Sequence, residues 1–239
     1  MPENEVPIPV PPSKEGQFSP GGPTPSINPQ NLNPATKNYR LNHLALRITD
    51  PTRSLNFYID LLGMRVVFSM NAGPFTIYYL GHPPPDTEDG EVGNWAGKTA
   101  EIPVLMKTNG LLELYHVHGS EKGLTGTGTG TGTETEGGIE AGVGAEISNG
   151  NVPPNLGFAH LGFTVPDVRA AVERLKEGGV RILKDVGVCS REDAHLSEWE
   201  AERGIGRGEI HGNYAWFVEQ FAMVADPDGY MIELMPQEM

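Results

Sequence analysis

The sequence predicts an α+β protein built from two paired βαβββ modules, and three observations lead there. First, the chain repeats itself: Asn42 to Asp50 reads NHLALRITD and Ala159 to Asp167 reads AHLGFTVPD, each a His followed by a strand-like apolar run and an Asp seven positions on. Second, each Asp opens a helical pattern that stops at a glycine, Gly63 lying 20 residues after His43 and Gly179 lying 19 after His160. Third, each block then gives three strand-like runs, the last holding a Glu-Leu pair, Glu113-Leu114 and Glu233-Leu234. Internal repetition of this kind sets the architecture before any single element is judged.

Taken in order, residues 1–38 are rich in Pro, Asn and Ser, with little apolar periodicity. Such a segment buries too little surface to offset its ordering entropy. It reads as a disordered tail, with an arm around a partner subunit as the alternative. The first module covers 39–118. Asp50 as N-cap and Pro51 at the first helical position start its helix. Leu55, Tyr58 and Leu62 share one face, and Gly63 suits the C-cap. The runs MRVVFSM, FTIYYLG and LLELYHV are its strands. Residues 119–154 contain the alternation TGTGTGTGT from Thr125 to Thr133, a flexible low-complexity linker. No GK[ST] follows it, so it is not a phosphate loop. The second module covers 155–239. Its helix carries Val168, Val172 and Leu175 on one face and stops at Gly178-Gly179. Its strand runs are VRILKDV, AWFVEQFAMVA and YMIELMP. An insertion at about 187–213 interrupts it, and HLSEWEAERG within the insertion is expected to form a short helix closed by Gly204.

A net charge of −14 argues against nucleic acid, whose phosphates call for clustered Lys and Arg, and against anionic membrane surfaces. Cys189 is the lone cysteine, so no internal disulfide forms, and no neighbouring base marks it as a nucleophile. The N-terminal segment has neither a basic nor an apolar signal region, and no run approaches the ~18 apolar residues of a membrane span. A cytoplasmic location is the expectation.

His43 and His160 sit on the first strands, and Glu113 and Glu233 on the last, within LLELY and YMIELM. A carboxylate among apolar neighbours is costly unless paired or metal-bound. Two imidazoles and two carboxylates suit Zn, Ni, Co or Mn. His118 reads as a strand-end residue, His116 as one assigned to neither the Glu113 face nor the core, His82 as a loop residue, and His195 and His211 as parts of the insertion. Phe68, Phe75, Tyr78 and Trp216 read as core or pocket wall.

The segments HLALRITDPTRSLNFYIDLLGM, LLELYH, GFAHLGFTVPDV and DPDGYMIEL resemble glyoxalase I (lactoylglutathione lyase) of the vicinal-oxygen-chelate superfamily. The resemblance implies a metal set of His43, Glu113, His160 and Glu233. Glu233 matches the principal catalytic base, Glu113 its partner carboxylate, and Arg47 an arginine that contacts glutathione carboxylates. It implies one divalent ion per site, Zn first with Ni or Co as alternatives. It further implies the hemithioacetal of methylglyoxal and glutathione as substrate and a lactate thioester as product, and it favours a homodimer, although the long linker also allows the two modules to pair within one chain. The chain departs from the pattern at Val117, where the family often has Asn, and at Leu156, where it often has Arg. These departures and the insertion keep open a superfamily enzyme acting on a non-glutathione secondary metabolite; a non-catalytic binding protein of the same fold is a third reading, against which the complete ligand set weighs.

Overall fold

Residue 50 shows how local chemistry sets the frame. In the computed structural model, which describes residues 14–22, 33–121 and 147–239, Asp50 follows strand β1 (His43–Ile48) and caps helix α1 (Pro51–Leu55). Its carboxylate accepts from the backbone N–H groups of Thr52 and Arg53, satisfying donors that the helix itself leaves open. The helix continues as a π-helical segment over Asn56–Leu61, which buries the adjacent Phe57 and Tyr58. Gly63 then takes a left-handed φ of 77° and turns the chain into β2 (Arg65–Asn71). Strand β3 (Phe75–Gly81) follows, then two short helices that the sequence reading did not anticipate, α2 (Val92–Thr99) and α3 (Ile102–Leu105), and then β4 (Leu111–Val117).

These strands form a sheet of order β1-β4-β3-β2, with β1 parallel to β4 and the other pairs antiparallel. After a small hairpin of β5 (Asn151–Val152) and β6 (Asn155–Leu156), the pattern repeats. Strand β7 (Leu161–Val165), helix α4 (Val168–Glu177), β8 (Ile182–Lys184), β9 (Ala222–Ala225) and β10 (Met231–Pro236) give a sheet of order β7-β10-β9-β8, again with the outer pair β7 and β10 parallel. The chain thus has the two paired βαβββ modules of the α+β reading.

The insertion carries helix α5 (Glu198–Glu202), opened by a capping box between Ser197 and Glu200, and the chain turns at Gly204 with φ of 80°. One strand expectation needs correction. The run AWFVEQFAMVA is not one strand: Gly212–Val218 forms helix α6, and only Ala222–Ala225 is β. Tyr214, Phe217, Val218 and Phe221 recur at helical spacing, so this apolar run satisfies both periods, and tertiary packing selects the helix. The centre of the linker, 122–146, and tail residues 1–13 and 23–32 lie outside the described residues. Tail residues 14–22 lie against the end of the insertion, where Asn213 Nδ2 donates to the Gly16 carbonyl at 2.9 Å. No helix among the described residues is long and apolar enough to cross a membrane.

One hydrophobic core joins the modules, with Ile48, Tyr58, Leu80 and Leu114 from the first and Val172, Leu175, Ile232 and Leu234 from the second. Each such side chain contributes roughly 1.5–3 kcal/mol by leaving water. The junction is then fixed by the Asp226–Gly229 turn of the second module. Asp226 Oδ2 accepts from the Tyr58 hydroxyl at 2.9 Å. Asp228 Oδ1 accepts from the Thr49 backbone N–H and hydroxyl, and its Oδ2 from Ser54. Arg53 donates to the Pro227 carbonyl.

Candidate metal centre

Strand alternation decides which side chains meet. Along β1, Leu46 and Ile48 enter the core, so His43, Ala45 and Arg47 point to the opposite face. Parallel pairing sets Ala45 opposite Glu113, while Leu112 and Leu114 enter the core. Tyr79 on β3 pairs with Glu113 from the other side. The result is a cluster on the open face: His43 Nε2 lies 3.2 Å from Glu113 Oε2, and the Tyr79 hydroxyl donates to Glu113 Oε2 at 2.9 Å. Burial, with Glu113 as the next cause, raises the Tyr79 hydroxyl to about 12, so it remains a donor at neutral pH.

Behind His43, its Nδ1 lies 2.8 Å from Asn42 Oδ1. Asn42 Nδ2 donates to the carbonyls of Leu105 and Thr108 at 2.8 and 2.6 Å, which fixes the amide with its oxygen toward the ring. A neutral imidazole held this way carries its proton on Nδ1, and its Nε2 lies 3.2 Å from both the Tyr79 hydroxyl oxygen and Glu113 Oε2. Two acceptors converging at 3.2 Å fit a shared cation. Cis ligands at bond lengths of about 2.0–2.2 Å stand about this far apart.

The second module repeats the pair. His160 Nε2 lies 3.3 Å from Glu233 Oε2, and Glu233 is 9% exposed. The hydrogen bond to Glu233 raises the His160 pKa, and burial opposes it. Gly162, paired with Glu233, leaves the carboxylate open: a Cβ there would come within 2.9 Å of Met235 Cε and 3.8 Å of Glu233 Oε2. Met223 stands where the first module has Tyr79, so Glu233 lacks the hydroxyl donor that Glu113 has.

Within one chain the four side chains form two pairs, not one cluster. His43 and His160 border a common groove of about 630 Å³, which neither glutamate lines, and no group of three or more His, Cys, Asp or Glu converges among the described residues. Arg47 lies on the His43 face with its guanidinium 6.0 Å from the centroid of the Tyr115 ring. His116 and His82 stand apart from both pairs, His116 bonded to Glu121 and His82 to the Leu62 carbonyl. Three neighbours escaped the sequence reading. Tyr79 needed the β3–β4 register, Asn42 was adjacent to a candidate ligand and legible in hindsight, and His195, whose Nε2 lies 2.8 Å from His160 Nδ1, gave no local signal.

Paired βαβββ modules, each presenting a His and a Glu on the open face of its sheet, define the class of this fold. The chain belongs to the superfamily described as Glyoxalase/Bleomycin resistance protein/Dioxygenase, whose profile matches residues 40–234. It is 29% identical over 206 residues to a lactoylglutathione lyase of Pseudomonas aeruginosa, covering 84% of each chain. It is 28% identical over 197 residues to glyoxalase I of Saccharomyces cerevisiae, where the match covers 82% of this chain and 44% of the yeast protein. Among solved structures, the trypanothione-dependent glyoxalase I of Leishmania major matches at 20% identity with a TM-score of 0.43, covering 84% of this chain and 88% of that one.

Proposed function

We propose that this protein is a metal-dependent lyase of the glyoxalase I type, converting the hemithioacetal of methylglyoxal and glutathione to S-lactoylglutathione. The observation that supports this most is the pairing of an imidazole Nε2 with a carboxylate oxygen in each module, at 3.2 and 3.3 Å. His43, Glu113, His160 and Glu233 would hold one divalent ion, Zn with Ni or Co as alternatives. When bound, the ion supplies Lewis acidity at the two vicinal substrate oxygens. Glu233 would act as the base: it takes the proton from the carbon bearing sulfur and returns it to the adjacent carbon, while the hydroxyl proton of the first carbon passes to the oxygen of the second, so that the thiohemiacetal carbon becomes the thioester carbonyl and its neighbour the carbinol carbon. Glu113, tied to the Tyr79 hydroxyl, is the partner carboxylate. Arg47 binds a glutathione carboxylate.

Because each chain holds its two pairs apart, the complete site forms in a homodimer, with His43 and Glu113 of one chain meeting His160 and Glu233 of a second copy. Two-fold dimers are the commonest soluble assembly. A second reading, the same fold acting on a non-glutathione substrate, is favoured by Val117 on the His43–Glu113 face and by Leu156 in the hairpin. Mixing His43→Ala chains with His160→Ala chains tests the assembly. In a shared-site dimer one of the two sites in a heterodimer is intact, so random re-pairing restores about a quarter of wild-type turnover. No recovery, with a monomeric mass in solution, would refute shared sites. Turnover of the preformed hemithioacetal by Zn-, Ni- and Co-loaded protein tests the chemistry, and no turnover with any of them would refute it.

A further inference from the structure

The two candidate histidine ligands are held from behind in different ways. In the first module the holder is the preceding residue, Asn42, whose amide oxygen takes the His43 Nδ1 proton. The repeat places Ala159 at the equivalent position before His160, and a methyl group accepts no hydrogen bond. His160 Nδ1 instead meets His195 Nε2 at 2.8 Å, with the ring centroids 4.9 Å apart and the planes inclined by 23°, the near-coplanar edge-to-edge arrangement that a ring N–H···N bond requires. His195 comes from the 187–213 insertion, 35 residues downstream of His160.

That insertion is braced to hold a side chain in place. Arg191 donates to the carbonyls of Gly206 and Gly208 across its neck. The Ser190 N–H donates to Asp193 at 2.6 Å, and the Leu196 N–H donates to the Arg191 carbonyl at 2.9 Å. His195 itself sits at φ 58° and ψ 29°, a left-handed conformation uncommon for residues other than glycine. This bend turns the chain so that the ring faces His160.

We propose that His195 is a positioning residue for His160: neutral His195 accepts the His160 Nδ1 proton at Nε2, which leaves the His160 Nε2 lone pair directed at the space beside Glu233. The inference rests on the metal-centre reading. It gives the insertion a task, replacing the missing asparagine of the second module with an acceptor delivered from a distant loop. Ligand imidazoles are regularly oriented through their second nitrogen, and removal of that partner lowers metal affinity roughly 10–100-fold.

The test compares full-length wild type, His195→Phe and His195→Gln by chelator competition with Zn(II). Phe keeps a ring against His160 and removes the acceptor; the Gln amide oxygen restores an acceptor near the Nε2 position. The expected result is a roughly 10–100-fold weaker Zn(II) affinity for the Phe variant and recovery of most of it in the Gln variant. The metal-free melting temperature should be equal in all three, which a purely structural role would not give. His195→Ala makes the same comparison should the Phe ring fail to pack. Wild-type affinity in the Phe or Ala variant, or equal losses in Phe and Gln, would overturn the proposal while leaving the metal centre standing. A wild-type protein that binds no Zn(II) would overturn both.

Discussion

Tyr58→Phe removes one oxygen from the buried junction between the modules, and its cost can be worked from the structure. Tyr58 is fully buried, and its hydroxyl donates to Asp226 Oδ2 at 2.9 Å. Asp226 keeps two other donors, the backbone N–H groups of Asp228 and Tyr230 at 2.9 and 2.8 Å. Burial pushes its carboxyl up to about 6 from the usual 3.8. A carboxyl whose pKa rises on folding binds its proton more readily folded than unfolded. Its contribution to stability is therefore full below the unfolded value and is lost as pH rises through about 6, by on the order of 3 kcal/mol. At pH 8 the carboxylate is charged, and a hydrogen bond to a charged group is worth roughly 1.5–3 kcal/mol. Tyr58→Phe should then lower the melting temperature by roughly 3–12 °C, at about 2–4 °C per kcal/mol for a chain of this size. At pH 5 the carboxyl is protonated and the penalty should fall to about 1 kcal/mol. Calorimetry of both proteins at the two pH values measures the difference. A penalty at pH 5 equal to or larger than that at pH 8, or none at pH 8, would refute the electrostatic account of this junction.

Elemental analysis should find about one divalent ion per site, lost or strongly weakened in Glu233→Ala and His160→Ala; metal retained in the Glu113→Ala, Glu233→Ala double variant would sink the assigned set. Tyr79→Phe frees Glu113 from its donor and should weaken Zn(II) binding by roughly tenfold or more, which isothermal titration reads directly. If glutathione is the thiol, Arg47→Ala should raise KM far more than it lowers kcat, because the arginine would hold ground and transition states alike; steady-state kinetics with an unchanged KM would favour the non-glutathione reading. Gly162→Leu should reduce both metal uptake and turnover while the fold survives, since its side chain would enter the space between Met235 and Glu233.

The sequence by itself determined the repeat, and with it the module architecture and the positions of the two His–Glu pairs. It could do so because the information is local: strand alternation, an Asp cap and a glycine stop are each written within about ten residues, and duplication states them twice. The caps at Asp50 and Asp167 and the final strands around Glu113 and Glu233 follow from those rules. Where a local pattern satisfied two periods, as in AWFVEQFAMVA, the sequence was ambiguous, and packing of Val218 and Phe221 selected the helix.

Only the tertiary structure decided what surrounds each pair. The β3–β4 register brings Tyr79 rather than Tyr78 onto Glu113, and shifting that register by one residue would exchange them. The fold of the 187–213 insertion carries His195 onto His160, a contact between residues with no shared motif. The Asp226–Gly229 turn grips Tyr58, Thr49 and Ser54 and so fixes how the modules sit in one chain, with the pairs held apart. These are long-range contacts made by single side chains, and no periodicity records them. Their energies are settled by burial and by the partners that folding brings into reach.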